Sequence, residues 1–145
     1  MVSLIRRCLV LFALVVATLA VITPTNVAAA PAPALTYLQV VAVASANSPS
    51  WEYVGRDQLL TNVDHGGAWL YIATQERGYG FTPVAKYNGV TVAQDASEPI
   101  VENGLIVGYT RYWYITTNTA NGQFTYQNTS TNSPWNTMSD WINIK

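Results

Sequence analysis

Three Asn-Gly pairs, Asn88-Gly89, Asn103-Gly104 and Asn121-Gly122, punctuate the second half of the chain and constrain its folding more than any other local feature. A two-residue type I′ turn needs positive φ at both central positions, and Asn and Gly tolerate that conformation best, so each pair reads as the centre of a β-hairpin. The flanks agree: residues 84–87 face 90–93, 100–102 face 105–107, and 116–120 face 123–127. The longest strand expected, 105–117, alternates Tyr109, Arg111, Trp113 and Ile115 on one side with Thr110, Tyr112, Tyr114 and Thr116 on the other. Aromatic and β-branched residues suit a pleated surface, and one of the two sides is expected to meet a core.

Upstream, residues 36–44 and 68–74 are apolar at successive positions, the pattern of central strands covered on both faces. Residues 141–145 place Ile142 and Ile144 on one side and read as a closing strand. Ser48-Pro49-Ser50, Gly78-Tyr79-Gly80, Ser97-Glu98-Pro99 and residues 128–134 mark loops. No segment repeats apolar residues at helical spacing; 58–63 has room for one helical turn with Asp57 as its N-cap. The expected fold is all-β, a single antiparallel β-sandwich of about seven to nine short strands, with β-prism or barrel-like closure as the alternative.

The N-terminus follows a different grammar. Arg6 and Arg7 precede an apolar run over residues 8–22 and then the small-residue stretch 27–34. Charged, apolar, small is the order of a secretory signal peptide. The run is shorter than the roughly 18 to 20 residues that span a bilayer, so no permanent membrane anchor is expected. Residues 1–30 are accordingly assigned to the signal peptide and its cleavage region, and residues 31–145 to a mature all-β domain that is secreted to the extracellular space.

Without the signal region the chain keeps five basic residues, Arg56, Arg77, Lys86, Arg111 and Lys145, against eight acidic ones, a net charge near −3. Five scattered cations cannot form the clustered surface that binds phosphate backbones, which excludes nucleic acid as a partner. Cys8 leaves with the signal peptide, so no disulfide can brace the domain and its core must stabilise it alone. Five Trp, nine Tyr and two Phe downstream supply that core, at roughly 150 to 250 Å² of burial for each ring.

Several segments together, Tyr37-Leu38-Gln39-Val40-Val41-Ala42-Val43, Asn62-x-Asp64-His65-Gly66-Gly67, Pro99-Ile100-Val101-Glu102-Asn103-Gly104 and Pro134-Trp135-Asn136-Thr137-Met138-Ser139-Asp140, resemble the YolA-type small secreted bacterial proteins of uncharacterised function. The resemblance spans nearly the whole mature chain and implies secretion and a single domain of unknown function, with no catalytic residues to transfer. A fainter similarity, over residues 64–72, is to β-prism domains. The basic membrane-contacting loop expected of those domains has no counterpart here.

No motif specifies a reaction. His65, the only histidine, stands beside Asp64 and two glycines; it reads either as a general base working with Asp64 or Asp57, or as part of a tight turn in which Asp64 bonds the backbone. One histidine and no mature cysteine cannot furnish a transition-metal site, so neither metal nor cofactor is expected. The carboxylates Glu52, Asp57, Glu76, Asp95, Glu98, Glu102 and Asp140 read as solvated surface groups before they read as a glycosidase pair. Aromatics on a sheet face or loop rim can stack on sugar rings while amides bind hydroxyls. Trp51 and Trp135, each in a Pro-containing loop outside the strand patterns, are the ligand-binding candidates. The function expected is a non-enzymatic extracellular binding module for glycan or a cell-envelope component. Two alternatives are a small secreted hydrolase using His65 with Asp64 or Asp57, and an envelope-active, toxin-like protein assembling through a long 105–127 hairpin.

Overall fold

The computed structural model describes residues 32–116 and 121–145. They form nine strands: β1 (Tyr37–Ser45), β2 (Glu52–Tyr53), β3 (Leu70–Arg77), β4 (Val84–Tyr87), β5 (Val90–Val92), β6 (Gln94–Glu102), β7 (Leu105–Ile115), β8 (Gln123–Thr129) and β9 (Thr137–Asn143). One antiparallel sheet has the order β2-β1-β3-β7-β6 and the other β5-β4-β8-β9. Neither a helix nor a closed barrel occurs among the described residues, and the expected sandwich is the fold observed. Residues 58–63 make no helical turn; Leu60 instead bridges to Asn143, and Asp57 lies in an exposed turn.

Two of the Asn-Gly pairs are the hairpin turns expected, with φ of 50° and 79° at Asn88-Gly89 and 51° and 78° at Asn103-Gly104. The third is not. Asn121 has φ of 54°, but β7 belongs to the five-stranded sheet, whereas β8 pairs with β4 and β9 in the other. The expected pairing of 116–120 with 123–127 falls on residues 117–120, which lie outside the described residues; the long 105–127 hairpin is not formed, since β7 and β8 do not pair. Gly122 meets a packing demand instead: a Cβ there would lie 1.9 Å from the Tyr87 hydroxyl.

Crossing between sheets puts β8 opposite β7. Trp113 of β7, 1% exposed, packs against Phe124 and Tyr126 of β8 with ring centroids 6.4 and 5.3 Å apart. Around them Val40, Val43, Leu70, Ile72, Ile115, Ile142 and Ile144 complete the core. The indole N–H of Trp113 donates to Thr74 Oγ1 at 3.0 Å, so the polar atom of this ring is satisfied inside the core.

The core also holds a charge. Glu76 on β3 is wholly buried, not solvated as expected from sequence. Its Oε1 accepts hydrogen bonds from Arg111 Nε at 3.0 Å and Nη2 at 2.5 Å; its Oε2 accepts from the Tyr126 hydroxyl and Asn128 Nδ2, both at 2.7 Å. Burial, then the Glu76 charge and its hydrogen bond, pushes the Tyr126 phenol far above the ordinary tyrosine range. A buried carboxylate with four such donors is compensated, and these donors come from both sheets.

With Leu70, Ile72 and Trp113 pointing inward, period-two alternation turns the intervening residues of β3 and β7 outward. The registers align them in three rows across the five-stranded sheet. One row reads Gln39, Gln75, Thr110, Glu98; the next Tyr53, Ala42, Ala73, Tyr112, Ala96; the third Ala44, Tyr71, Tyr114.

Candidate functional site

The structure draws His65 away from Asp64 and Asp57. The His65 backbone N–H donates to the carbonyl of Lys145 at 2.7 Å, which pins the loop beneath the C-terminus. Its imidazole Nε2 lies 2.9 Å from Glu52 Oε2 and its Nδ1 3.3 Å from Ser45 Oγ. Asp64 uses Oδ1 to accept the Gly66 N–H at 2.7 Å, the turn role read from sequence. Glu52 is further bound by Gln58 Nε2 at 2.9 Å and by the N–H groups of Asn62 at 2.7 Å and Val63 at 3.2 Å. Burial pushes the Glu52 carboxyl up, but the Asn62 and Val63 N–H groups, His65 and Gln58 together outweigh it and hold the group below its ordinary value.

Serine, histidine and glutamate in hydrogen-bond sequence invite comparison with a nucleophilic triad. Accessibility argues otherwise. Ser45 and His65 are both 0% exposed, so neither the hydroxyl nor the imidazole meets a substrate in this conformation. Ser45 Oγ also accepts the Ser48 N–H at 3.1 Å. The cluster fastens the end of β1, the start of β2 and the C-terminus to one another.

The outer face of the five-stranded sheet has the opposite character. Trp51, one position before β2, follows the Glu52 and Tyr53 alternation: Glu52 turns in toward His65, so Trp51 turns out beside Ala44. Its ring centroid is 5.8 Å from that of Tyr71 and 6.4 Å from that of Tyr112. Tyr71 and Tyr112 stack at 5.9 Å with an interplanar angle of 12°, and Tyr114 meets Tyr71 edge-on at 5.6 Å. Alanines at 42, 44 and 73 keep the floor low between these rings. A recess of about 430 Å³, lined by Ala44, Pro49, Trp51, Trp69, Tyr71 and Tyr114, opens on this face.

Carboxylates hold the phenols. Tyr71 donates to Asp95 Oδ2, and Tyr112 donates to Glu98 Oε2 at 3.1 Å. The hydrogen bond to Asp95, with burial and the charge of Asp95 behind it, pushes the Tyr71 phenol up to about 12, so it remains a donor at neutral pH. Gln75 and Thr110 continue the face as a polar row, with Gln75 Nε2 3.4 Å from Thr110 Oγ1.

The two tryptophans singled out in the sequence are not brought together. Trp51 belongs to this aromatic face; Trp135 lies in the β8–β9 connection of the other sheet, 63% exposed and with φ of 58°. Positive φ is uncommon for a bulky side chain, and here it presents the indole to solvent. Tyr71, Tyr112 and Tyr114 were readable as strand residues, but which side of β3 and β7 faces water follows only from the packing of Trp113. Glu52 was readable only as one of several acids, because its partner His65 is thirteen residues away through a loop.

Fold and site define an all-β, two-sheet sandwich with buried polar clusters and, on the outer face of its five-stranded sheet, an aromatic group made by Trp51, Tyr71, Tyr112 and Tyr114. The chain belongs to the family described as Domain of unknown function (DUF4879), whose model matches residues 30–144. Comparison with curated proteins finds no match.

Proposed function

We propose that this chain is an exported, non-catalytic binding module for glycan or cell-envelope material, and that the outer face of the five-stranded sheet is its platform. The observation that carries this reading is the convergence of Trp51, Tyr71, Tyr112 and Tyr114 on one exposed surface beside Gln75 and Thr110. Flat rings next to amide and hydroxyl groups match a sugar, whose ring presents apolar C–H faces and a hydroxylated rim. The recess has the size of a small-molecule site, within the roughly 300 to 1,000 Å³ usual for such pockets. The charged, apolar and small-residue order of residues 1–34, and the resemblance to YolA-type proteins, support export.

The hydrolase reading is weaker because its histidine is inaccessible. The toxin-like reading loses the hairpin that motivated it. The deciding experiment is binding of the purified protein to an array of glycans and cell-wall fractions, with Trp51→Ala, Tyr112→Ala and Trp135→Ala variants checked for folding. Saturable binding lost in folded Trp51→Ala and Tyr112→Ala, and kept in Trp135→Ala, supports the platform. Binding by none of the forms removes the proposal.

A further inference from the structure

The aromatic face carries charge as well as rings. Asp95 and Glu98 are exposed on the edge strand β6, bonded to the hydroxyls of Tyr71 and Tyr112, and among the described residues neither forms an ion pair. The cations of this sheet and its loops are engaged elsewhere. Arg77 pairs with Glu102 at 2.7 Å, Arg111 turns into the core onto Glu76, and Arg56 lies over the Tyr37 ring at 5.6 Å. Two uncompensated carboxylates therefore flank a stacked tyrosine pair whose π-faces are themselves electron-rich.

Such a surface discriminates by charge. An ammonium group gains from a carboxylate and from a ring face at once, a neutral ligand gains only from stacking, and an anion is repelled. Resting on the glycan-binding reading above, we propose that the ligand is a glycan bearing free, protonated amino groups. Its sugar rings lie on Trp51, Tyr71 and Tyr112 while its amines engage Asp95 and Glu98. The phenol of each tyrosine orients its carboxylate and leaves the second carboxylate oxygen for the ligand.

The test compares oligomers of glucosamine with oligomers of N-acetylglucosamine by titration calorimetry at about pH 5.5, where the free amines of the glucosamine oligomer are protonated. The glucosamine oligomer should bind roughly tenfold or more tightly, a preference that shrinks with added salt. In an Asp95→Asn, Glu98→Gln double variant, whose two sites are exposed, the preference should fall to within about twofold. Equal affinity for the two oligomers overturns the charge proposal and leaves the glycan reading standing. A preference undiminished in the double variant overturns the assignment to Asp95 and Glu98. Binding of neither oligomer overturns this proposal, and failure on the whole glycan array as well would overturn the platform.

Discussion

Trp51 and Glu52 show how neighbouring positions divide between surface and interior. Trp51, at 37% exposure, touches two tyrosines and opens onto the recess, so Trp51→Ala should weaken ligand binding roughly tenfold or more, about 1.4 kcal/mol, while leaving the thermal midpoint almost unchanged. Fluorescence titration and a melting curve on the same sample separate the two effects; a collapsed midpoint would make Trp51 a packing residue. Glu52, one residue later, is a stability residue. Removing its carboxylate in Glu52→Ala leaves His65 and two backbone N–H groups without their acceptor, at a cost of about 1 to 3 kcal/mol.

The pH dependence of that contribution follows from the lowered pKa of Glu52. A carboxyl held lower in the folded state stabilises fully above its unfolded value of about 4.3, and the contribution disappears as pH falls through the still lower folded value. Urea midpoints of the wild type and Glu52→Gln should therefore converge below about pH 4. A gap that stays constant into acid would assign the effect of Glu52 to packing.

At the scale of the elements, glycine decides how closely strands approach. A Cβ on Gly108 would lie 2.0 Å from the carbonyl oxygen of Glu76 on the adjacent β3, where backbone cannot yield. Gly108→Ala should cost about 1 to 3 kcal/mol in urea denaturation. Gly104→Ala tests the turn instead: open space surrounds that position, and only its φ of 78° resists a side chain. An unchanged midpoint in Gly108→Ala would mean that β7 shifts along β3 without loss. The hairpins at 88–89 and 103–104 were legible because a type I′ turn is a local demand met by two adjacent residues. The 121–122 pair has the same positive φ at Asn121, yet β7 and β8 lie in different sheets, an arrangement that places Phe124 and Tyr126 on Trp113.

For the whole molecule, Glu76 is the joint between sheets, binding Arg111 from its own sheet and Tyr126 and Asn128 from the other. Glu76→Ala strands a largely buried guanidinium, a phenol and an amide, and should destabilise by about 3 to 5 kcal/mol. A loss below about 1 kcal/mol would show that the cluster is replaceable by water or apolar packing. Glu76 had no distinguishing mark in the sequence, since its four donors lie 35 to 52 residues away.

Period-two alternation, Asn-Gly turns and aromatic content were enough to determine an all-β sandwich and to name most of its strands, because these are preferences that each short segment expresses by itself. Tertiary structure alone decided the rest: that β7 and β8 part into different sheets, that His65 takes Glu52 and Ser45 as partners, that Glu76 is buried, and that Tyr71, Tyr112 and Tyr114 face water with Trp51. Each of these depends on which of two faces finds the larger apolar partner, and that choice is a competition among residues far apart in the chain.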